Sequence, residues 1–228
     1  MLIKQDGSII GSVGGSILEE EVRKVAKTVI QEETPRIFHF DCSEKEEKGM
    51  ICGGDAQVYI EPIIPMPTLY IFGGGHIALP LARLGKMLSF RVVVLDDREE
   101  YANPERFSEA DKTIAGDFTK TLSQLSVDNF SYLVIVTRGH SFDQTVLAWA
   151  APTSAHYIGM IGSAKKIKTI FDNLRSQGIS DSELKRVHAP IGLSINAETP
   201  EEIAISIMAE IISVHRSGKS KKEPGCIL

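Results

Sequence analysis

An α/β chain, with a mostly parallel, doubly wound sheet behind a small N-terminal α+β domain, is predicted by three features of the sequence. The run Leu69-Tyr70-Ile71-Phe72 is apolar without period-2 alternation, as in a strand buried on both faces, and opens into Gly73-Gly74-Gly75 and a helical pattern. Similar runs at Arg91–Leu95, Ser131–Thr137 and Tyr157–Ser163 recur with helical segments between them, the alternation of βαβ units. The stretch Ile63-Ile64-Pro65-Met66-Pro67 is stiff and lacks N–H groups at its prolines, which marks a domain boundary. Gly73-x-Gly75-x-x-Ala78 has the form of a dinucleotide fingerprint, with Asp96 closing the next strand, so the larger domain is Rossmann-like. The expected division is 1–66 for the small domain, 67–216 for the nucleotide- or cofactor-binding domain, and 217–228 for a mobile tail.

The elements follow in chain order. Asp6-Gly7 between short apolar pieces signals a hairpin. Ser16 with Glu19 fits a capping box, and Leu18, Val22, Val25, Ala26 and Val29 recur at helical spacing, a face expected to pack on that hairpin. Ile37–Phe40 and Val58–Ile60 are strands, separated by a charged loop, Ser43–Gly49. A helix from about His76 to Leu88 has Ile77, Leu81, Leu84 and Leu88 as its inward stripe. Strands follow at Arg91–Leu95 and Lys112–Ala115, with Gly116-Asp117-Phe118 at a position that commonly borders an adenine pocket. The strand Ser131–Thr137 delivers Arg138-Gly139-His140-Ser141-Phe142-Asp143. The strand Tyr157–Ser163 leads to Ala164-Lys165-Lys166. Val187–Leu193, broken by Pro190 and Gly192, is a shaped loop, and Thr199, Pro200 and Glu202 start a final helix.

Composition excludes several classes. Hydrophobic residues make up 43% and charged residues 24% of the 228, the balance of an ordinary globular protein. The net charge of −5 and the lack of a clustered basic face argue against a nucleic-acid partner. No apolar run has a bilayer-spanning length and the N-terminus lacks a signal-peptide core, so no membrane partner and a cytoplasmic location are expected. Cys42, Cys52 and Cys226 form no C-x-x-C pair, which gives neither a disulfide framework nor a structural zinc site. Neither a Gly-x-Ser-x-Gly elbow nor a Walker lysine loop is present.

The candidate site residues gather at strand ends. The turn Gly73-Gly74-Gly75-His76 presents helix N–H groups to a phosphate, and Asp96, followed by Asp97, stands where a ribose hydroxyl is bound. Arg138, His140 and Asp143 lie on the loop that should face that turn across the point where strand order reverses. Gly162, Ser163 and Lys165 suit an anion, although lysines on an exposed helix are equally ordinary surface. His76, His140 and His188 adjoin loops at this edge and could move a proton, but no short spacing of the His-x-x-x-His kind points to a metal. Cys52, before Gly53-Gly54, could hold a soft metal or act as a nucleophile, or could be a small buried side chain before a turn.

Taken together, Gly11-Ser12-Val13-Gly14-Gly15 with Glu19, Cys52-Gly53-Gly54, Phe72-Gly73-Gly74-Gly75-His76, Asp96-Asp97-Arg98, Thr137-Arg138-Gly139-His140, Ile161-Gly162-Ser163, and His188-Ala189-Pro190-Ile191-Gly192-Leu193 running to Thr199-Pro200-Glu201-Glu202 resemble the XdhC/CoxI family. These are xanthine dehydrogenase accessory factors, and the likeness runs along nearly the whole chain. The resemblance implies a two-domain, often dimeric carrier that binds molybdenum cofactor (molybdopterin) and assists its sulfuration together with a cysteine desulfurase. It also implies delivery of the cofactor to a xanthine dehydrogenase-type molybdenum hydroxylase. On this reading His140, Asp143 and His188 contact the pterin or the oxo ligands and Cys52 meets the molybdenum. Two departures stand out: the chain begins about a strand later than family members, and Ser16 replaces the second cysteine many of them carry. Rival readings are an NAD(P)-dependent oxidoreductase, with Asp96 on the adenine ribose and His140 or His188 as general acid–base, and a nucleotide sensor without turnover.

Overall fold

The structure is a computed structural model describing residues 1–4, 6–14, 16–41 and 55–217. The chain divides into two compact units, Met1–Pro65 and Met66–Leu228.

In the first unit, β1 (Leu2–Ile3) and β2 (Ile9–Ile10) pair antiparallel around the turn at Gly7. Helix α1 (Ser16–Glu32) buries Val22, Ala26 and Val29 and packs against β4 (Asp55–Ile60), which pairs antiparallel with β3 (Arg36–Asp41). Glu19 reaches back from the helix to the preceding loop, accepting from the Ser12 hydroxyl and from the Val13 N–H at 3.3 Å.

The second unit is a six-stranded parallel sheet. Its strands are β5 (Thr68–Phe72), β6 (Arg91–Asp96), β7 (Lys112–Ala115), β8 (Ser131–Ile135), β9 (Tyr157–Met160) and β10 (Val187–His188), in the order β10-β9-β8-β5-β6-β7. The chain runs outward from β5 through β6 to β7, then crosses back to place β8 on the other side of β5. That reversal puts the carboxyl ends of β5 and β8 at the switch point of a doubly wound sheet. The central strands are rich in Val, Ile and Leu because both faces are covered, and each fully buried side chain contributes about 1.5–3 kcal/mol.

One face is covered by α2 (Ala78–Met87) and α7 (Pro200–Ser217), whose Leu81, Ala82, Ala204, Ile207 and Ile211 are buried with the sheet residues Leu69, Ile71, Val92 and Val94. The other face is covered by α3 (Phe118–Thr121), α4 (His140–Ala150) and α5 (Ala164–Ser176), over Phe72, Leu95, Leu133, Ile135 and Met160. A further short helix, α6 (Asp181–Leu184), precedes β10.

Three local expectations are corrected. Helix α2 begins at Ala78 rather than His76, and Leu88, assigned to its inward stripe, is 40% exposed because the helix has ended at Met87. Asp117 caps α3 by accepting from the Thr119 N–H, and Phe118 packs on Phe72 and Phe142 in the core instead of bordering an adenine pocket. Val187 and His188 are not all loop: they pair with Ile158 and Gly159 as an edge strand before Pro190 ends it.

Candidate functional site

The glycine turn after β5 is the first region the sequence singles out. Gly73 has φ +109°, and a Cβ there would sit 2.4 Å from the Val136 carbonyl oxygen, so its lack of a side chain lets the ends of β5 and β8 close together. A Cβ on Gly74 would fall 1.9 Å from the Tyr101 carbonyl oxygen, whereas one on Gly75 would meet nothing within 4 Å. The segment after β6 therefore lies directly on the turn at Gly74 and leaves it open at Gly75.

The backbone of Gly73 and Gly74 is engaged from within the chain. The Gly73 N–H donates to the Leu95 carbonyl at 2.7 Å and the Gly74 N–H to Asp96 Oδ2 at 2.8 Å. Asp96 Oδ1 accepts from the Arg98 N–H at 3.1 Å and from Arg98 Nε at 3.0 Å. The Arg98 guanidinium lies 3.5 Å over the Tyr101 ring, and Arg106 Nε donates to the Gly74 carbonyl at 3.2 Å. Burial alone would raise the Asp96 carboxyl, but the hydrogen bonds from Arg98 and Gly74 prevail and hold it below the usual carboxylate value. At 2% exposure Asp96 is a brace for the turn and not, as expected, a free acceptor for a ribose. Asp97 pairs with Arg138 at 2.5 Å; since β6 and β8 flank β5, this ion pair spans the end of β5.

A second region lies between the first turns of α4 and α5. A groove of about 500 Å³ is lined by His140, Ser141 and Gln144 from α4, Ser163 at the head of α5, and Lys165, Lys166 and Asn173 along it. Asn173 donates to Gln144 at 3.0 Å, joining its two walls. His140 and Lys165 are exposed, and α4 has no side-chain cap at Gly139, whereas the Ser163 hydroxyl caps α5 by accepting from the Lys166 N–H.

Beneath the groove, Asp143 is fully buried. Its Oδ1 accepts from the Thr137 hydroxyl at 2.6 Å and the Thr137 N–H at 3.2 Å, and Oδ2 pairs with the Lys166 ammonium. Gly162 makes room for that lysine, since a Cβ there would come within 2.9 Å of Lys166 Cδ. Asp143, expected at the ligand, is thus an internal tie among the loop after β8, α4 and α5. Lys166, which the sequence offers beside Lys165 at the start of this helix as suited to an anion, is here paired with the Asp143 carboxylate.

His188 stands apart from both regions in its contacts. Its ring stacks on Tyr157 with centroids 4.7 Å apart, and Nδ1 lies 3.3 Å from Glu210 Oε1. Tyr157 and Glu210 were missed as site residues; the signal was a carboxylate at the edge of the inward stripe of α7, between Ile207 and Val214. His76 is exposed just before α2. Among the described residues no hydrogen bond or ring contact joins any two of His76, His140 and His188, and no group of three His, Cys, Asp or Glu stands close enough to hold a metal ion. Cys52, like Cys42 and Cys226, lies outside the described residues. Among the described residues no helix is long and apolar enough to cross a membrane.

Comparison with known proteins fits this architecture. Residues 69–211 match the XdhC Rossmann domain and residues 1–41 match the XdhC and CoxI family. The Escherichia coli (strain K12) protein named "Uncharacterized protein YqeB" is 32% identical over 217 residues, 94% of this chain and 40% of its own length. A Bacillus subtilis (strain 168) protein, named as a probable xanthine dehydrogenase subunit, is 33% identical over 159 residues, 70% of this chain and 46% of its own length. The chain thus spans less than half the length of either relative. A crystal structure titled as a xanthine dehydrogenase from Bacillus halodurans aligns with a TM-score of 0.61 at 24% identity, covering 97% of this chain and 87% of that one, a likeness that speaks for the fold. With a Rossmann domain match over well more than half its length, preceded by the N-terminal family segment, the chain belongs to the XdhC/CoxI family.

Proposed function

We propose that the chain is an accessory protein that holds molybdenum cofactor and delivers it to a molybdenum hydroxylase of the xanthine dehydrogenase type. The observation that carries this reading is the groove between α4 and α5, where an uncapped helix start, His140 and Lys165 face one cleft. Its volume of about 500 Å³ lies in the range of small-molecule sites. The group fits the donors present: phosphate suits the N–H groups of α4 and the Lys165 ammonium, while the amide side chains of Gln144 and Asn173 can pair with a pterin edge. His140 donates to the phosphate or to an oxo group. The bound cofactor supplies an exchangeable oxo or sulfido ligand on molybdenum. Cys52 is the thiol that the family resemblance assigns to that metal, with a cysteine desulfurase as sulfur source and a homodimer as the working form.

The name of the Bacillus subtilis relative supports a xanthine dehydrogenase as the client. An NAD(P)-dependent oxidoreductase is disfavoured, because Asp96 and the Gly74 N–H already satisfy each other. The test offers molybdenum cofactor and NAD separately to the purified protein and measures retention after gel filtration. Retention of molybdenum cofactor that falls at least tenfold in Lys165→Ala and His140→Ala supports the reading. Equal retention in both variants, or NADH oxidation with a carbonyl substrate, overturns it. Cys52→Ala is expected to weaken retention as well, and unchanged retention removes Cys52 from the site.

A further inference from the structure

The face of the sheet covered by α7 carries a charged cluster that the groove does not use. Glu210 lies beside the buried Ile207 and Ile211, where an unpaired carboxylate would be costly. Both of its oxygens have partners: Oε2 accepts from the Tyr157 hydroxyl at 2.5 Å and the Gly192 N–H at 2.9 Å, and Oε1 faces His188 Nδ1 at 3.3 Å. Burial, reinforced by the Glu210 carboxylate, pushes the Tyr157 phenol well above its ordinary value, so it remains a donor. Gly159, the register partner of His188, clears the space, since a Cβ there would come within 2.6 Å of the Tyr157 hydroxyl. The His188 ring, stacked on Tyr157, is held in plane and direction, yet its side chain is 34% exposed.

We infer that Glu210 is a positioning residue that fixes His188 as the Nδ1–H tautomer and presents Nε2, at the carboxyl edge of β10, as a proton acceptor. A carboxylate on one ring nitrogen sets which tautomer is populated and stabilises the imidazolium. Among the described residues Nε2 has no hydrogen-bond partner, so it is available to a ligand bearing an acidic N–H, O–H or S–H group. The proton passes from that heteroatom to Nε2, leaving the ligand's conjugate base and an imidazolium paired with Glu210. The titratable groups facing His188 are Glu210 from α7 and Tyr157 from β9. Arg186, two residues earlier, directs its guanidinium to the Thr153 and Ala155 carbonyls at 2.9 and 2.7 Å.

This deepens the carrier reading at one of its candidate residues, but its test needs no cofactor, so either can fail without the other. Long-range proton–nitrogen NMR of the full chain with labelled histidine, assigned with His188→Gln, reads the tautomer directly. The expected result is an Nδ1–H tautomer at high pH, with the balance moving toward Nε2–H in Glu210→Gln. An Nε2–H tautomer in the unsubstituted chain overturns the inference even if Glu210→Gln does not fold. An unmoved tautomer balance in a folded Glu210→Gln chain overturns it too.

Discussion

The glycine turn after β5 and the groove between α4 and α5 lie along the same edge of one sheet, yet they are built oppositely. At the turn, Asp96 accepts from the Gly74 N–H and Arg106 donates to the Gly74 carbonyl, while Arg98 pairs with Asp96 and lies over the Tyr101 ring. At the groove, the buried ion pair of Asp143 and Lys166 forms the base, and His140 and Lys165 are left facing solvent. The fingerprint spacing thus coincides with a tight strand-to-helix turn braced by Asp96, while the groove leaves charged groups facing solvent.

The sharpest way to break this contrast is Asp143→Asn. It strips the counter-charge from Lys166, whose side chain is only 14% exposed, and should lower stability by about 3–5 kcal/mol, read by denaturant unfolding. Gly74→Ala comes next: its Cβ collides with the Tyr101 carbonyl and should cost about 1–3 kcal/mol. Gly75→Ala, with open space around it, should change unfolding by no more than about 0.5 kcal/mol. Equal effects of the two alanines would mean that the segment after β6 does not rest on the turn.

Acid unfolding sharpens the comparison further. The folded Asp96 carboxyl lies below its unfolded value, so its contribution is fully present above about pH 4 and is lost as pH falls through the folded value. Asp96→Asn should therefore flatten the acid limb of the stability curve, and an unchanged limb would contradict the brace. The smallest effect is expected for Arg138→Ala, which removes a half-exposed ion pair with Asp97 and should cost under about 1 kcal/mol, vanishing in high salt.

Much of the fold was legible because strands buried on both faces announce themselves. Leu69–Phe72, Val92–Leu95 and Tyr132–Ile135 are apolar throughout, and the Thr199–Glu202 capping box predicted the start of α7, where the Glu202 N–H donates to Thr199 at 3.2 Å. The sites were less legible because partners lie far apart in the chain. Tyr157 and Glu210 are separated by 53 positions, and nothing in either local pattern names the other. Asp143 and Asp96 looked like ligands since carboxylates near glycine loops often are, and only their burial and their internal donors show that they are structural. The edge strand at Val187 and His188 escaped notice because two residues before a proline carry no periodicity.

One carboxylate, that of Asp143, joins the backbone after β8 to the helix that follows it and, through Lys166, to the next helix. The spacing between the two walls is consequently set when the protein folds and not when a guest arrives. If the cleft is the carrier site proposed above, its guest meets a receptor whose ordering entropy was surrendered beforehand, so grip depends on chemical match and owes little to rearrangement.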